Sequence, residues 1–175
     1  MAFEVKRLDP DDPRPEFECG DADLDEFYHN DSIAGGRQLM SVTYALVNEA
    51  QKVAAFFSLL NDSIKKEALT GSRWKRLVKQ VPPSKRYSTM PAAKIGRLGV
   101  CREMQGQGYG RIVLDYLKGW FTEGNKTGCR FLVVDAYNKP SVIRFYENNG
   151  FEFLETDDHA EPARIMYYDL IKVRE

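Results

Sequence analysis

Apolar and polar residues alternate over Phe3–Leu8, which predicts a short strand, and Asp9–Pro15 follows as a Pro- and Asp-rich loop. Leu24, Phe27, Tyr28 and Ile33 then recur at helical spacing. Asp23 is placed to cap that helix, with Glu26 three residues on as its capping-box partner, and Gly35-Gly36 is expected to end it. Ser41–Val47 and Val53–Leu60 are runs of β-formers joined by polar Asn48–Lys52, the pattern of a hairpin. Ile64–Val81 reads as one basic helix or two short ones, stopped by Pro82-Pro83.

The second half is more regular. Ala93–Cys101 predicts a strand. Gly108–Thr122 carries apolar residues at Ile112, Val113, Tyr116, Leu117, Trp120 and Phe121, an amphipathic helix that Gly124 and Asn125 stop. Cys129–Ala136 is almost continuously apolar, as expected of a strand covered on both faces. Pro140–Asn149 predicts a helix with proline in its first turn and Gly150 as its left-handed terminator. Phe151–Glu155 and Ile165–Leu170 read as the last two strands. The order is β-α-β-β-(helical insert)-β-α-β-α-β-β. That predicts an α/β (α+β, mixed-sheet) fold.

With 175 residues, the expectation is a single domain over 1–175. The apolar fraction of 43% and charged fraction of 29% are ordinary for a globular chain. Net charge is −1, so bulk charge argues against a dedicated polyanion binder. Charge is nevertheless uneven. Residues 1–31 are acidic, whereas residues 64–86 hold Lys65, Lys66, Arg73, Lys75, Arg76, Lys79, Lys85 and Arg86 against Glu67 alone. Such a run is most often a solvated face, and the sharper reading is a contact for RNA. Cys19, Cys101 and Cys129 have no metal-ligand spacing, so no metal is expected, and they read as reduced thiols of a cytoplasmic protein. The N-terminus has no apolar core of a signal peptide, and no apolar run reaches the ~18 residues that a membrane span needs.

The segment with chemical content is Gln105-Gly106-Gln107-Gly108-Tyr109-Gly110, set between the strand ending near Cys101 and the helix that follows. Glycines permit left-handed backbone and close approach of a phosphate, and the N–H groups opening a helix bind anions. No Gly-Lys-Ser/Thr follows, which excludes a nucleoside-triphosphatase loop, and the spacing is not that of a dinucleotide fingerprint. A glycine cluster alone would be an ordinary turn.

What surrounds this one changes that. Lys94–Phe153 resembles the GNAT superfamily of acyl-CoA N-acyltransferases. Gln105, Gly108 and Gly110 match its Q/R-x-x-G-x-G/A signature. Asn138-Lys139-Pro140-Ser141 and Phe145-Tyr146-Glu147-Asn148-Asn149-Gly150-Phe151 resemble its second motif. The resemblance implies acetyl-CoA as cofactor. It implies that the backbone of a bulged strand at Leu98, Gly99 and Val100 binds the pantetheine arm. The amides of Gln105, Gly106, Gln107, Gly108, Tyr109 and Gly110, with Arg111, would bind the pyrophosphate. Asn138 would bond the pantetheine region, although it lies eight residues before Tyr146 where seven is usual. Tyr146 would be the general acid to the leaving thiolate.

Those roles suit the residues. A phenol, with an ordinary pKa of ~10 against ~8.5 for a thiol, stays protonated at neutral pH and can donate. The N–H of Val100 could steady an oxyanion. Cys101 lacks a neighbouring His and is not read as a nucleophile. For the base, Asp135, Glu103 and water stay open. His29 and His159 read as surface or capping residues.

The acceptor amine is open too. Phe17-Glu18-Cys19-Gly20, with Leu24, Asp25 and Phe27, resembles an F-x-C-G-x-x-x-L-D-x-F run of the GNAT branch that includes toxins acetylating aminoacyl-tRNA. That makes tRNA, through Lys65–Arg86, a second choice behind a small-molecule or protein amine. A homodimer is a further implication of the family. A non-catalytic acyl-CoA-binding module is the reading from another class.

Overall fold

The computed structural model describes residues 3–82 and 87–174. Pro83, Lys85 and Arg86, part of the expected helix stop and of the basic run, lie outside the described residues.

Among the described residues, seven strands form one mixed sheet in the order β1-β2-β3-β4-β5-β7-β6. They are β1 (Phe3–Arg7), β2 (Val42–Asn48), β3 (Val53–Lys65), β4 (Thr89–Val100), β5 (Phe131–Tyr137), β6 (Glu152–Phe153) and β7 (Ala163–Asp169). The helices are α1 (Ala22–Glu26), α2 (Ser32–Arg37), α3 (Gly71–Leu77), α4 (Tyr109–Gly119) and α5 (Pro140–Asn148). The element order is the one the hydrophobic pattern predicts. β2 and β3 pair antiparallel as the expected hairpin, and β5 pairs antiparallel with β7.

The chain forms two compact units. One comprises the residues up to Leu60 with Ile95–Leu117, and its core gathers Phe17, Cys19, Tyr28, Ala45, Val47, Val53 and Phe56. Phe56 sits edge-on to Phe17 at 5.1 Å and 5.0 Å from the Tyr28 ring. The other comprises Asn61–Lys94 with the residues from Lys118 on, built on Ile64, Trp74, Leu77, Met90, Phe131, Val133, Leu154 and Tyr167.

Three local expectations are corrected. The first concerns the cap of α1, which is Asp21 and not Asp23. The Asp21 carboxylate accepts the N–H groups of Asp23 and Leu24 at 3.1 and 3.3 Å. Second, Gly35-Gly36 lies inside α2. The stop comes later, where Leu39 N–H bonds the Gly36 carbonyl and Met40 N–H the Gly35 carbonyl. That is a Schellman arrangement, with Leu39 at φ +58° in the place glycine normally takes. Leu39 is 91% exposed, so no packing offsets the strain. Leu39→Gly should therefore raise stability by about 1 kcal/mol, a rise in Tm of about 2–4 °C. An unchanged melting curve would count against the strain.

Third, the basic stretch opens as strand at Ile64 and Lys65 and only then forms two short helical pieces, a 3-10 turn at Lys66–Ala68 and α3. β3 continues to Lys65 because Ile64 is buried in the second core and Lys66 N–H bonds the Ser88 carbonyl. Only Gly71–Leu77 is α-helical, with Trp74 and Leu77 facing inward.

Candidate active site

β4 ends at Val100, and the chain turns through a 3-10 helix at Arg102–Met104 before the glycine segment and α4. The turn is tied into the first unit by backbone bonds from Cys101 N–H to the Ala54 carbonyl and from Arg102 N–H to the Glu18 carbonyl, both 2.9 Å. Gly106 and Gly108 then adopt φ +76° and +87°, left-handed values that only glycine takes without strain. A Cβ built on either would meet no heavy atom within 4 Å. The loop thus opens outward on the side where a side chain would stand.

The first bond of α4 runs from Ile112 N–H to the Gly108 carbonyl, 3.0 Å. The N–H groups in the first turn of an α-helix have no intrahelical partner and lie along its axis, the arrangement an anion site uses. α4 is anchored by buried Tyr109, Val113, Leu114 and Leu117. Arg111 is exposed, its Nε 3.4 Å from the Asp115 carboxylate, a surface pair of little energetic weight. Gln107 Nε2 donates to the Glu103 carbonyl at 3.0 Å.

The Gln105 side chain turns back into the protein. Its Nε2 donates to the Cys19 carbonyl at 2.8 Å and to the Val100 carbonyl at 3.2 Å. Cys19 and Gly20 are in turn held by Asp25, whose carboxylate accepts their N–H groups at 2.7 and 3.1 Å. Burial opposes the charge on Asp25, but these two N–H groups and nearby His29 outweigh it and hold the carboxyl below its ordinary range. In the sequence, Asp25 stands out only as part of the Phe17–Phe27 resemblance. The available signal was its place four residues after the Asp21 cap.

Leu98 and Val100 are half-buried, and Gly99 is buried. A Cβ at Gly99 would lie 2.6 Å from Cε1 of the fully buried Phe56 ring. Gly99→Ala should therefore destabilise by about 1–3 kcal/mol in chemical denaturation. A loss near zero would mean that Phe56 yields freely.

In the second unit, α5 opens with Pro140 at its first turn and ends before Gly150 at φ +82°, as predicted. It carries Tyr146, buried against Phe145 and Phe151 with ring centroids at 5.0 and 5.3 Å. Burial pushes the phenol pKa well above its ordinary value, so the group stays protonated at neutral pH.

The Asn138 side chain is engaged within the protein. Its Nδ2 donates to the carbonyls of His159 and Glu161, both 2.9 Å, which commits the amide to the loop before β7. Asp135 forms an ion pair with Lys94, which weakens its candidacy as a base. His29 Nε2 bonds the Phe17 carbonyl at 2.9 Å, and His159 Nδ1 lies 3.4 Å from the Thr156 carbonyl, both local structural contacts. Burial pushes the Cys19 thiol up to about 12, so it is inert. No helix among the described residues is long and apolar enough to cross a membrane.

Residues 76–153 match the family described as acetyltransferase (GNAT) domain. Similar solved structures extend over almost the whole chain. AtaT complexed with acetyl-methionyl-tRNAfMet is 21% identical with a TM-score of 0.76, covering 99% of this chain and 98% of that one. A tyrosine-to-phenylalanine mutant of KacT is 18% identical with a TM-score of 0.77, covering 99% and 98%. AtaTR bound with AcCoA is 17% identical with a TM-score of 0.72, covering 98% and 96%. At these identities the likeness is one of fold. The domain match takes in the glycine segment and α5, so residues 76–153 are similar to a GNAT acetyltransferase domain, and the chain as a whole shares the fold of these acetyltransferase structures.

Proposed function

We propose that this protein transfers the acetyl group of acetyl-CoA to a primary amine by direct attack, without a covalent enzyme intermediate. The observation that carries the reading is the pair of left-handed glycines, Gly106 and Gly108, opening onto the start of α4. A diphosphate fits there because backbone N–H groups and the helix dipole favour an anion, and no side chain fills the space. The amides of Gln105 to Gly110 would hold it, and the β4 backbone at Leu98–Val100 would hold the pantetheine arm. Arg111 would add a positive charge at the rim. The bound cofactor supplies an activated acyl thioester. The phenol of Tyr146, kept neutral by burial, would give its proton to the departing thiolate. The amide tied to His159 and Glu161 leaves Asn138 a smaller role than the family resemblance implies.

For the acceptor, one observation favours the amine of aminoacyl-tRNA: the full-length likeness to AtaT, solved with acetyl-methionyl-tRNAfMet. The Phe17–Phe27 run supports it, and exposed Lys65, Lys66, Lys75 and Lys79 supply cations for phosphates. That acceptor would place the protein in the cytoplasm. It also raises an antitoxin as partner, since AtaT has been solved bound to the C-terminus of AtaR.

Thermal shift with acetyl-CoA beside thiol release on a panel of amines, charged tRNA included, tests all of this. Stabilisation with turnover is expected. Stabilisation without turnover on any acceptor would favour a non-catalytic binding module. Turnover restricted to small amines would remove tRNA.

A further inference from the structure

Asp25 lies outside the glycine segment and touches none of it, yet it stands at the start of a chain of bonds that ends there. Its Oδ1 accepts the N–H of Cys19 at 2.7 Å and its Oδ2 the N–H of Gly20 at 3.1 Å. The Gly20 N–H and the Cys19 carbonyl belong to one planar trans peptide, so they point in opposite directions. Fixing the N–H against a carboxylate aims the carbonyl away from it and polarises it. That carbonyl receives Gln105 Nε2 at 2.8 Å. The same Nε2 also donates to the Val100 carbonyl, at 3.2 Å, so one side chain ties the end of β4 to the Cys19 loop. Gly20, at φ +83°, takes the left-handed conformation the loop needs, and Glu18 receives the Arg102 N–H alongside. Every link is a hydrogen bond of 3.2 Å or less.

We propose that Asp25 is a positioning residue for the phosphate cradle, acting through the Cys19–Gly20 peptide and the Gln105 side chain. The proposal rests on the cradle reading above. Amides that grip a diphosphate must be held still, because each one free to turn adds ordering cost to binding. Gly106 and Gly108 are the least restrained residues a chain can use, and the segment is exposed up to Gly108. Its fixed ends are α4 on one side and Gln105 on the other. The carboxylate therefore restrains a loop whose chemistry demands conformational freedom at two of its residues.

The test is a double-mutant cycle on acetyl-CoA affinity by calorimetry, with Asp25→Ala, Gln105→Ala and both together. Each single change should weaken binding about tenfold, the worth of one hydrogen-bonded restraint. The double variant should lose no more than either single one. In Asp25→Ala and Asp25→Asn, turnover at saturating acetyl-CoA should stay within about twofold of wild type while KM rises, whereas a merely structural role would lower the active fraction and leave KM alone. Asp25→Asn, which keeps one acceptor oxygen, should recover part of the affinity. Where Asp25→Ala folds poorly, Gln105→Ala and Asp25→Asn carry the test, since neither opens a cavity in the core and Asp25→Asn keeps one acceptor oxygen. Wild-type affinity in these variants, or losses that multiply in the double variant, would overturn the proposal. A wild-type protein that binds no acetyl-CoA would instead overturn the cradle reading itself.

Discussion

Gly108→Asp is expected to abolish measurable acetyl-CoA binding while the protein stays folded. The structure separates two effects. Backbone strain at φ +87° costs about 1–2 kcal/mol for a residue with a Cβ, and Asp and Asn tolerate that region better than most. Space is not limiting, since nothing lies within 4 Å of the added Cβ. The remaining effect is charge. A carboxylate set among the N–H groups proposed to hold a diphosphate would compete for them and repel the ligand. Like charges so close cost several kcal/mol, more than about 100-fold in affinity. Gly108→Asn has nearly the same shape without the charge, so the difference between the two variants isolates the electrostatic part. Equal affinities for wild type, Asn and Asp would place the diphosphate elsewhere.

Tyr146→Phe is expected to lower turnover on the order of 10²-fold with little change in acetyl-CoA affinity, because it removes a proton donor and keeps the ring packed. Phe145 and Phe151 hold the ring edge-on either way. The pH behaviour gives a second check. The folded pKa lies above the ordinary 10.0 because burial disfavours the phenolate. The folded state therefore holds this proton more tightly than the unfolded chain. The stability this contributes is complete below pH 10 and is lost as pH climbs towards the folded value. Wild type should accordingly lose more stability than Tyr146→Phe above pH 10, and the phenol should impose no alkaline limb on turnover below that pH. Full activity in the phenylalanine variant would take Tyr146 out of the mechanism.

Much of the fold was legible because it rests on local periodicity. The run of β-formers at Val53–Leu60, the amphipathic run after Gly108 and the apolar stretch into β5 each found their element. Errors fell where distant residues decide. Ile64 and Lys65 look helical in their basic neighbourhood, but burial of Ile64 among Trp74, Met90 and Phe131 draws them into β3. Gly35-Gly36 looks like a helix end, but α2 runs on through it, and the terminal bonds are made one turn later at Leu39 and Met40. Within the site, the glycines were legible because their backbone demand is written in residue type. The side-chain partners were not. Nothing near Gln105 in sequence points to the Cys19 carbonyl, nothing near Asn138 to the carbonyls of His159 and Glu161, and nothing near Asp135 to Lys94.

The fit between Gly99 and Phe56 has a consequence for how this enzyme can drift in evolution. A methyl group at position 99 has room only if the ring at 56 shrinks or withdraws, and that ring also fills the space between Phe17 and Tyr28. The two sites should change together, with alanine or larger at 99 accompanied by leucine or smaller at 56. Directed libraries that vary β4 alone would then discard variants that a paired library would rescue.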